Sequence, residues 1–388
     1  MPAIQTLADL ADPTRTQRLV VKVGSALLVE GSSSSAQVRE GWLAALVAEI
    51  AAAKKRGQQV IVVSSGAIAL GARRLGLEKG GRGNLADAQA AAAVGQIALS
   101  GLWAELLARH GLVAAQLLLT LDDLEDRRRY LNATATLGRL LDAGAVPVIN
   151  ENDSVATSEI RFGDNDRLAA RVAQAARADA VLLLSDVDGL YDRHPAEPEA
   201  RRLDVVHGLT AEIHAMASTR SGSGLGSGGM TSKLQAAEIA GRAGIALAIG
   251  NGTDDGAVAR LTGLSGVAPV GTLFLPRATT KSAAARKAWL GGRLRLRGAL
   301  IVDVGAAKAL GEGSSLLARG ITGVDGSFVR GDAVTIRDKE GVVLAHGLIE
   351  YDSRECAALL GRHSSEHAEI LGYAPRPAIV HRDQLVLL

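Results

Sequence analysis

From about Arg18 to Pro276 the chain alternates between short, continuously apolar runs and longer alanine-rich stretches with helical spacing, and few folds satisfy that grammar. The runs are Leu19–Val23, Val60–Ser64, Val113–Leu119, Ala145–Asn150, Ala180–Asp186, Ile245–Gly250 and Thr272–Leu275. Most lack the apolar–polar alternation of a half-exposed strand, so both faces must be covered, as in a parallel sheet. Between them, Val38–Arg56 puts Val38, Trp42, Leu46 and Ile50 at helical spacing and stops before Gly57. Ala86–His110 and Leu121–Ala143 stop in the same way, before Gly111 and Gly144. Strand–helix alternation over this length predicts an α/β fold with a mostly parallel sheet sandwiched by helices.

After Pro276 the pattern changes. Arg277–Arg297 carries seven basic residues, no acidic one and the pair Gly291-Gly292, and reads as a linker. Beyond it, Gly298–Val304, Ala333–Arg337 and Val342–Tyr351 are short segments separated by glycine turns, which predicts a small, mostly β C-terminal domain. The expected division is an N-terminal extension (1–16), an α/β domain (17–276), a linker (277–292) and the small domain (293–388).

Composition narrows the function classes. With a net charge of +2 over 388 residues, no global field points to nucleic acid or an anionic membrane. The single cysteine, Cys356, excludes a disulfide framework and a cysteine zinc site and fits a reducing cytoplasm. No apolar run approaches the roughly 20 residues that span a bilayer, so no membrane segment is expected.

The chemistry-bearing residues gather at strand ends. Lys22 lies inside an apolar strand, where an unpaired charge costs several kcal/mol, so it needs an anionic partner: a ligand phosphate or a structural ion pair. Gly24-Ser25 follow at once, leaving backbone N–H groups room to approach a phosphate. In Val63-Ser64-Ser65-Gly66 a strand end leads into a helix, and the serine there could cap the helix or face a ligand. Glu151, Asp153, Glu159, Asp164 and Asp166 put five carboxylates within sixteen residues, able to bind a cation, position an amine or simply face solvent. With no histidine among them, any metal held here would be a hard, oxygen-liganded ion such as magnesium. Ser185, Asp186 and Asp188 close another apolar strand, as site residues or as turn formers. Last, Ser221–Lys233 is a glycine-rich stretch opening into a helix, the arrangement that cradles a phosphate chain or else a flexible linker. It is not a Walker A loop, because Ser232 precedes Lys233 and Leu234 follows it.

These five segments, in this order, resemble the glutamate 5-kinases of the amino acid kinase superfamily, from about Gln17 to the end of the chain. Gly320–Gly347 and the closing segment from Leu371 to Asp383 resemble the appended PUA domain of bacterial members. The resemblance implies transfer of the ATP γ-phosphoryl to the side-chain carboxylate of L-glutamate, the first step of proline biosynthesis. By it, Lys22 and Lys233 are catalytic, Ser65, Asp153 and Asn165 bind glutamate, and Lys22, Ser185, Asp186 and Ser227, Gly228, Gly229, Met230, Thr231, Ser232 and Lys233 bind ATP. Mg2+ is expected to arrive with ATP. A homo-oligomer and feedback inhibition by proline are also implied. Ala26 departs from the small hydroxyl residue common at its position, and Ser185, Ser227 and Ser232 stand where threonine is common. The N-terminal extension has no family counterpart.

A carboxylate nucleophile is ionised at pH 7, so no general base is required. What the reaction needs is positive charge, because carboxylate and triphosphate repel each other. One rival is a kinase for N-acetylglutamate, whose uncharged nitrogen would leave the acidic clusters without a purpose. Another is an RNA-binding PUA protein. Residues 291–388 hold twelve basic and twelve acidic residues, which leaves counterion release little to work with.

Overall fold

The computed structural model describes residues 3–30, 37–81, 83–155, 164–218, 229–276, 296–373 and 375–387. The chain forms two compact units, Met1–Thr280 and Lys281–Leu388. The expected linker lies outside the described residues.

The first unit is built on an eight-stranded sheet. Its strands are β1 (Arg18–Val23), β4 (Gln59–Ser64), β5 (Ala114–Leu119), β6 (Val146–Glu151), β7 (Ala180–Ser185), β8 (Val205–His207), β9 (Ala246–Asn251) and β10 (Thr272–Leu275). The two short strands β2 (Val29–Glu30) and β3 (Gln37–Val38) pair separately. The order across the sheet is β5-β6-β4-β1-β7-β9-β10-β8. All neighbours run parallel except β9 and β10. Apart from their first or last residue, β1, β4, β6, β7 and β9 are buried throughout, which is why their sequences read as unbroken apolar runs. Lys22 pairs in register with Val63 on one side and Leu183 on the other, so the carboxyl ends of the central strands open at one edge.

The helices are α1 (Ser25–Leu28), α2 (Glu40–Lys55), α3 (Ala67–Leu75), α4 (Leu85–Ala108), α5 (Leu121–Glu125), α6 (Arg127–Asp142), α7 (Asp164–Ala176), α8 (Ala211–Ser218), α9 (Met230–Arg242) and α10 (Ala257–Thr262). Three expectations are corrected. The single helix expected over Leu121–Ala143 breaks at Asp126, whose backbone is extended (φ −71°, ψ 124°) and whose carboxylate accepts the Arg129 N–H to cap α6. β8 was not expected, because three residues with one buried side chain carry no periodic signal. And one helix, α4, is 24 residues long and apolar enough to cross a membrane by length and composition, contrary to the expectation that no segment qualifies. Its alanines and glycines serve packing instead: Ala91, Leu99, Trp103 and Leu107 are buried, and α3 crosses it at backbone contact. A Cβ on Gly95 would fall 1.8 Å from the Ala67 carbonyl oxygen, and one on Gly71 would fall 1.7 Å from that of Ala91.

Residues expected to be a mere extension are built into this unit. Leu7–Ala11 form a 3-10 turn with Leu10 fully buried. The buried Gln58 amide donates to both Leu10 O and Thr16 O at 2.9 Å, fastening the turn to the sheet.

The second unit has a five-stranded sheet in the order β13 (Ile321–Gly326), β11 (Leu296–Val302), β14 (Ala333–Arg337), β15 (Val343–Leu348), β17 (Leu385–Leu387). β12 (Leu316–Leu317) pairs with β16 (Ala378–Val380). Its core includes Leu300, Ile336, Ile349 and Tyr351. Glu350 is buried and balanced by Arg330 at 3.2 Å and Arg376 at 2.9 Å.

Candidate active site

At the open edge of the first unit the two lysines singled out by sequence share one carboxylate. Lys22 Nζ lies 2.6 Å from Asp166 Oδ1, and Lys233 Nζ lies 3.2 Å from Asp166 Oδ2. The Ser232 hydroxyl donates to Asp166 Oδ2 at 2.9 Å. All three charged groups are buried, Asp166 to 1% exposure. Burial alone would push the Asp166 carboxyl up. Lys22, Lys233 and the Ser232 hydroxyl overcome it and hold the group below its ordinary value, so it is ionised. The cluster as a whole carries a net positive charge.

Asp166 appears in the sequence only as one of five carboxylates and is the principal residue that sequence reasoning missed. A signal exists: it falls in helical register with Ala169, Ala170 and Ala173, the buried face of α7. A charge on that stripe needs a partner.

Beside the cluster lies a polar network. The Asn165 amide donates to Ser65 Oγ at 2.7 Å and reaches Ser64 O and Asn150 Oδ1, both at 3.3 Å. Asn150 in turn donates to Gln96 Oε1 on α4 at 2.7 Å. The Asn165 Oδ1 atom is buried and has no hydrogen-bond partner among the described residues. A buried acceptor left open costs about 1–3 kcal/mol unless a ligand donor fills it. The helix-cap reading of the serines fails: α3 is capped by Gly66, in the left-handed region at φ 106°, with no side-chain cap. That turn frees Ser65 to meet Asn165.

Asp153 is buried at the end of β6 and lines a cavity of about 430 Å³ with Gln96, Ser100, Gln116 and Glu151. The buried positions of Asp153 and Asp166 are incompatible with a wholly solvated acidic loop; Glu159 lies outside the described residues. Ser185 ends β7, buried, and its hydroxyl donates to the exposed Asp186 at 2.9 Å. Asp188 accepts from the Tyr191 hydroxyl at 2.9 Å, a turn contact. Gly229 caps α9, and Met230, Thr231, Ser232 and Lys233 form its first turn. Ser227 and Gly228 lie outside the described residues. Among the described residues no group of three His, Cys, Asp or Glu side chains is placed to hold a metal ion.

Residues 17–251 match the Amino acid kinase family. The chain belongs to that family. Residues 298–371 match the PUA domain, so this amino acid kinase carries a PUA domain behind its catalytic fold. It is 68% identical to a glutamate 5-kinase of Novosphingobium aromaticivorans, over 99% of the chain and all of that protein. Identity is 58% to a glutamate 5-kinase of Sphingopyxis alaskensis (98% and 100% covered) and 53% to one of Zymomonas mobilis (97% and 92% covered).

Proposed function

We propose that the chain is a glutamate 5-kinase, moving the γ-phosphoryl of ATP to the side-chain carboxylate of L-glutamate as the first step of proline biosynthesis. In the reaction a carboxylate oxygen bonds to the γ-phosphorus as the bond to the β–γ bridging oxygen breaks, releasing ADP. The observation that carries this reading is the junction of Lys22 and Lys233 on Asp166. Two ammonium groups at one point offset the repulsion between carboxylate and triphosphate, and stabilise charge on the transferring oxygens.

On this reading Asp166 keeps the lysines together before substrates arrive, and the phosphates then compete for their free N–H bonds. Ser185, Asp186 and the Ser227–Lys233 segment take the nucleotide. Ser65 and Asn165 take glutamate, the open Asn165 Oδ1 supporting a donor from the ligand. Asp153 balances the substrate ammonium. Mg2+ carried by ATP would supply charge neutralisation at the phosphate oxygens. None of the motif segments named above contains a histidine, in keeping with a nucleophile that is already ionised.

The chain works in the cytoplasm on this reading, where ATP is supplied. The apolar residues exposed on α4 and near the edge strand β5 (Ile97, Val113 and Leu118) support self-association, to be read by sedimentation. Inhibition by proline belongs to the same reading and is tested by adding proline to the assay.

The deciding experiment traps the acyl phosphate with hydroxylamine in the presence of ATP, comparing glutamate with N-acetylglutamate. Hydroxamate from glutamate alone is the expected result; hydroxamate only from the acetylated compound would replace this reading with that of an N-acetylglutamate kinase.

A further inference from the structure

Trp103 is fully buried in α4, and its indole N–H donates to the Ser64 hydroxyl at 3.0 Å. A buried indole N–H requires an acceptor, and a backbone carbonyl would serve. Here the acceptor is a side chain at the last position of β4, immediately before Ser65. Because that hydroxyl accepts from Trp103, its own hydrogen turns away, toward the Ser65 carbonyl at 3.3 Å. The next residue is Gly66, at φ 106°. The turn is thus held from two sides. Asn165 grips Ser64 O and Ser65 Oγ from the site, and Trp103, through Ser64, holds the Ser65 carbonyl from the core.

We propose that Trp103 is a positioning residue for the acceptor substrate: its bond to Ser64 sets the Ser65–Gly66 turn so that Ser65 and Asn165 are presented in the geometry that glutamate requires. This rests on the glutamate 5-kinase reading. Trp103 touches neither substrate and acts only through Ser64. Ser185 on β7 and Met230–Lys233 on α9, among the nucleotide residues, have no part in this contact.

The test uses the full chain and the hydroxylamine assay, with Trp103→Phe removing the donor, Ser64→Ala removing the acceptor, and the double variant. Each single change should raise the glutamate KM about fivefold, the equivalent of one neutral hydrogen bond at about 1 kcal/mol, with the ATP KM within twofold of the parent. The double variant should be no worse than the worse single, since both remove the same bond. Glutamate KM values within twofold of the parent, whatever the melting temperatures, would overturn the proposal. So would glutamate and ATP KM rising together, or additive losses in the double variant. Should Trp103→Phe fail to fold, Ser64→Ala decides through the same split between glutamate and ATP. A parent enzyme that yields no glutamyl hydroxamate would instead bring down the functional reading beneath it.

Discussion

Replacing Asp166 by Asn should destabilise the kinase unit and do so in a way that ATP repairs. The substitution keeps the shape of the side chain and removes its charge, leaving Lys22 and Lys233 buried with no counter-charge from that residue (7% and 9% exposed). Breaking a buried ion pair by deleting one partner costs about 3–5 kcal/mol. For a unit of this size that corresponds to a fall of roughly 5–15 °C in melting temperature. On the proposed reading the triphosphate brings negative charge to the same two ammonium groups, so ATP with magnesium should raise the melting temperature of Asp166→Asn by several degrees more than that of the parent. Acid adds a second signature. The native Asp166 carboxyl sits below the ordinary value of 3.8, so its stabilising effect is complete above about pH 4 and is lost as the pH falls through the native value. The gap between parent and variant should therefore narrow below pH 4. Differential scanning fluorimetry with and without nucleotide measures all three. A variant melting within 2 °C of the parent would refute the role of Asp166 as the counter-charge of Lys22 and Lys233, and equal shifts with ATP would refute their proposed contact with the phosphates.

Lys233→Ala should lower kcat by at least ~100-fold, the usual size for removing one transition-state donor, and a variant within threefold of the parent would deny it that role. Asp153→Ala should weaken glutamate far more than ATP, as steady-state KM values for the two substrates will show. Gly95→Ala should prevent the α3–α4 crossing, because its methyl would meet the Ala67 carbonyl oxygen at 1.8 Å; soluble, fully active protein from that variant would disprove the packing argument. Cys356 is buried, and burial, with Glu355 and Asp352 nearby, pushes its thiol up to about 12, so an aromatic disulfide reagent at pH 8 should label it only after unfolding.

The seven expected strands of the sheet lie within a residue or two of their observed bounds. In β1, β4, β6, β7 and β9 burial on both faces writes itself into sequence as an uninterrupted apolar run, while the edge strand β5 is apolar yet only partly buried. Lys22 was conspicuous for the same reason: a charge stands out in such a run. Its meeting with Lys233 spans more than two hundred residues, and no local pattern encodes that distance. The break at Asp126 has no mark in the sequence, because a capping aspartate and an ordinary helix-surface aspartate look alike until the backbone angle is known. Asp166 was hidden by company, one acid among five, and only burial sets it apart. Trp103 and Gln96 carry no signature at all, since a helix as apolar as α4 explains a tryptophan without reference to its N–H.

The turn at Leu7–Ala11 has a consequence for how the protein is made. It packs against α10, and Leu7 lies beside Gly271, which is translated some 260 positions later. At about 5–20 residues per second that is a wait of roughly 10–50 s, during which the turn lacks those two contacts. Clones trimmed to begin at Arg18 would leave the apolar surfaces beneath the turn uncovered and should accumulate as aggregate rather than as a shortened kinase.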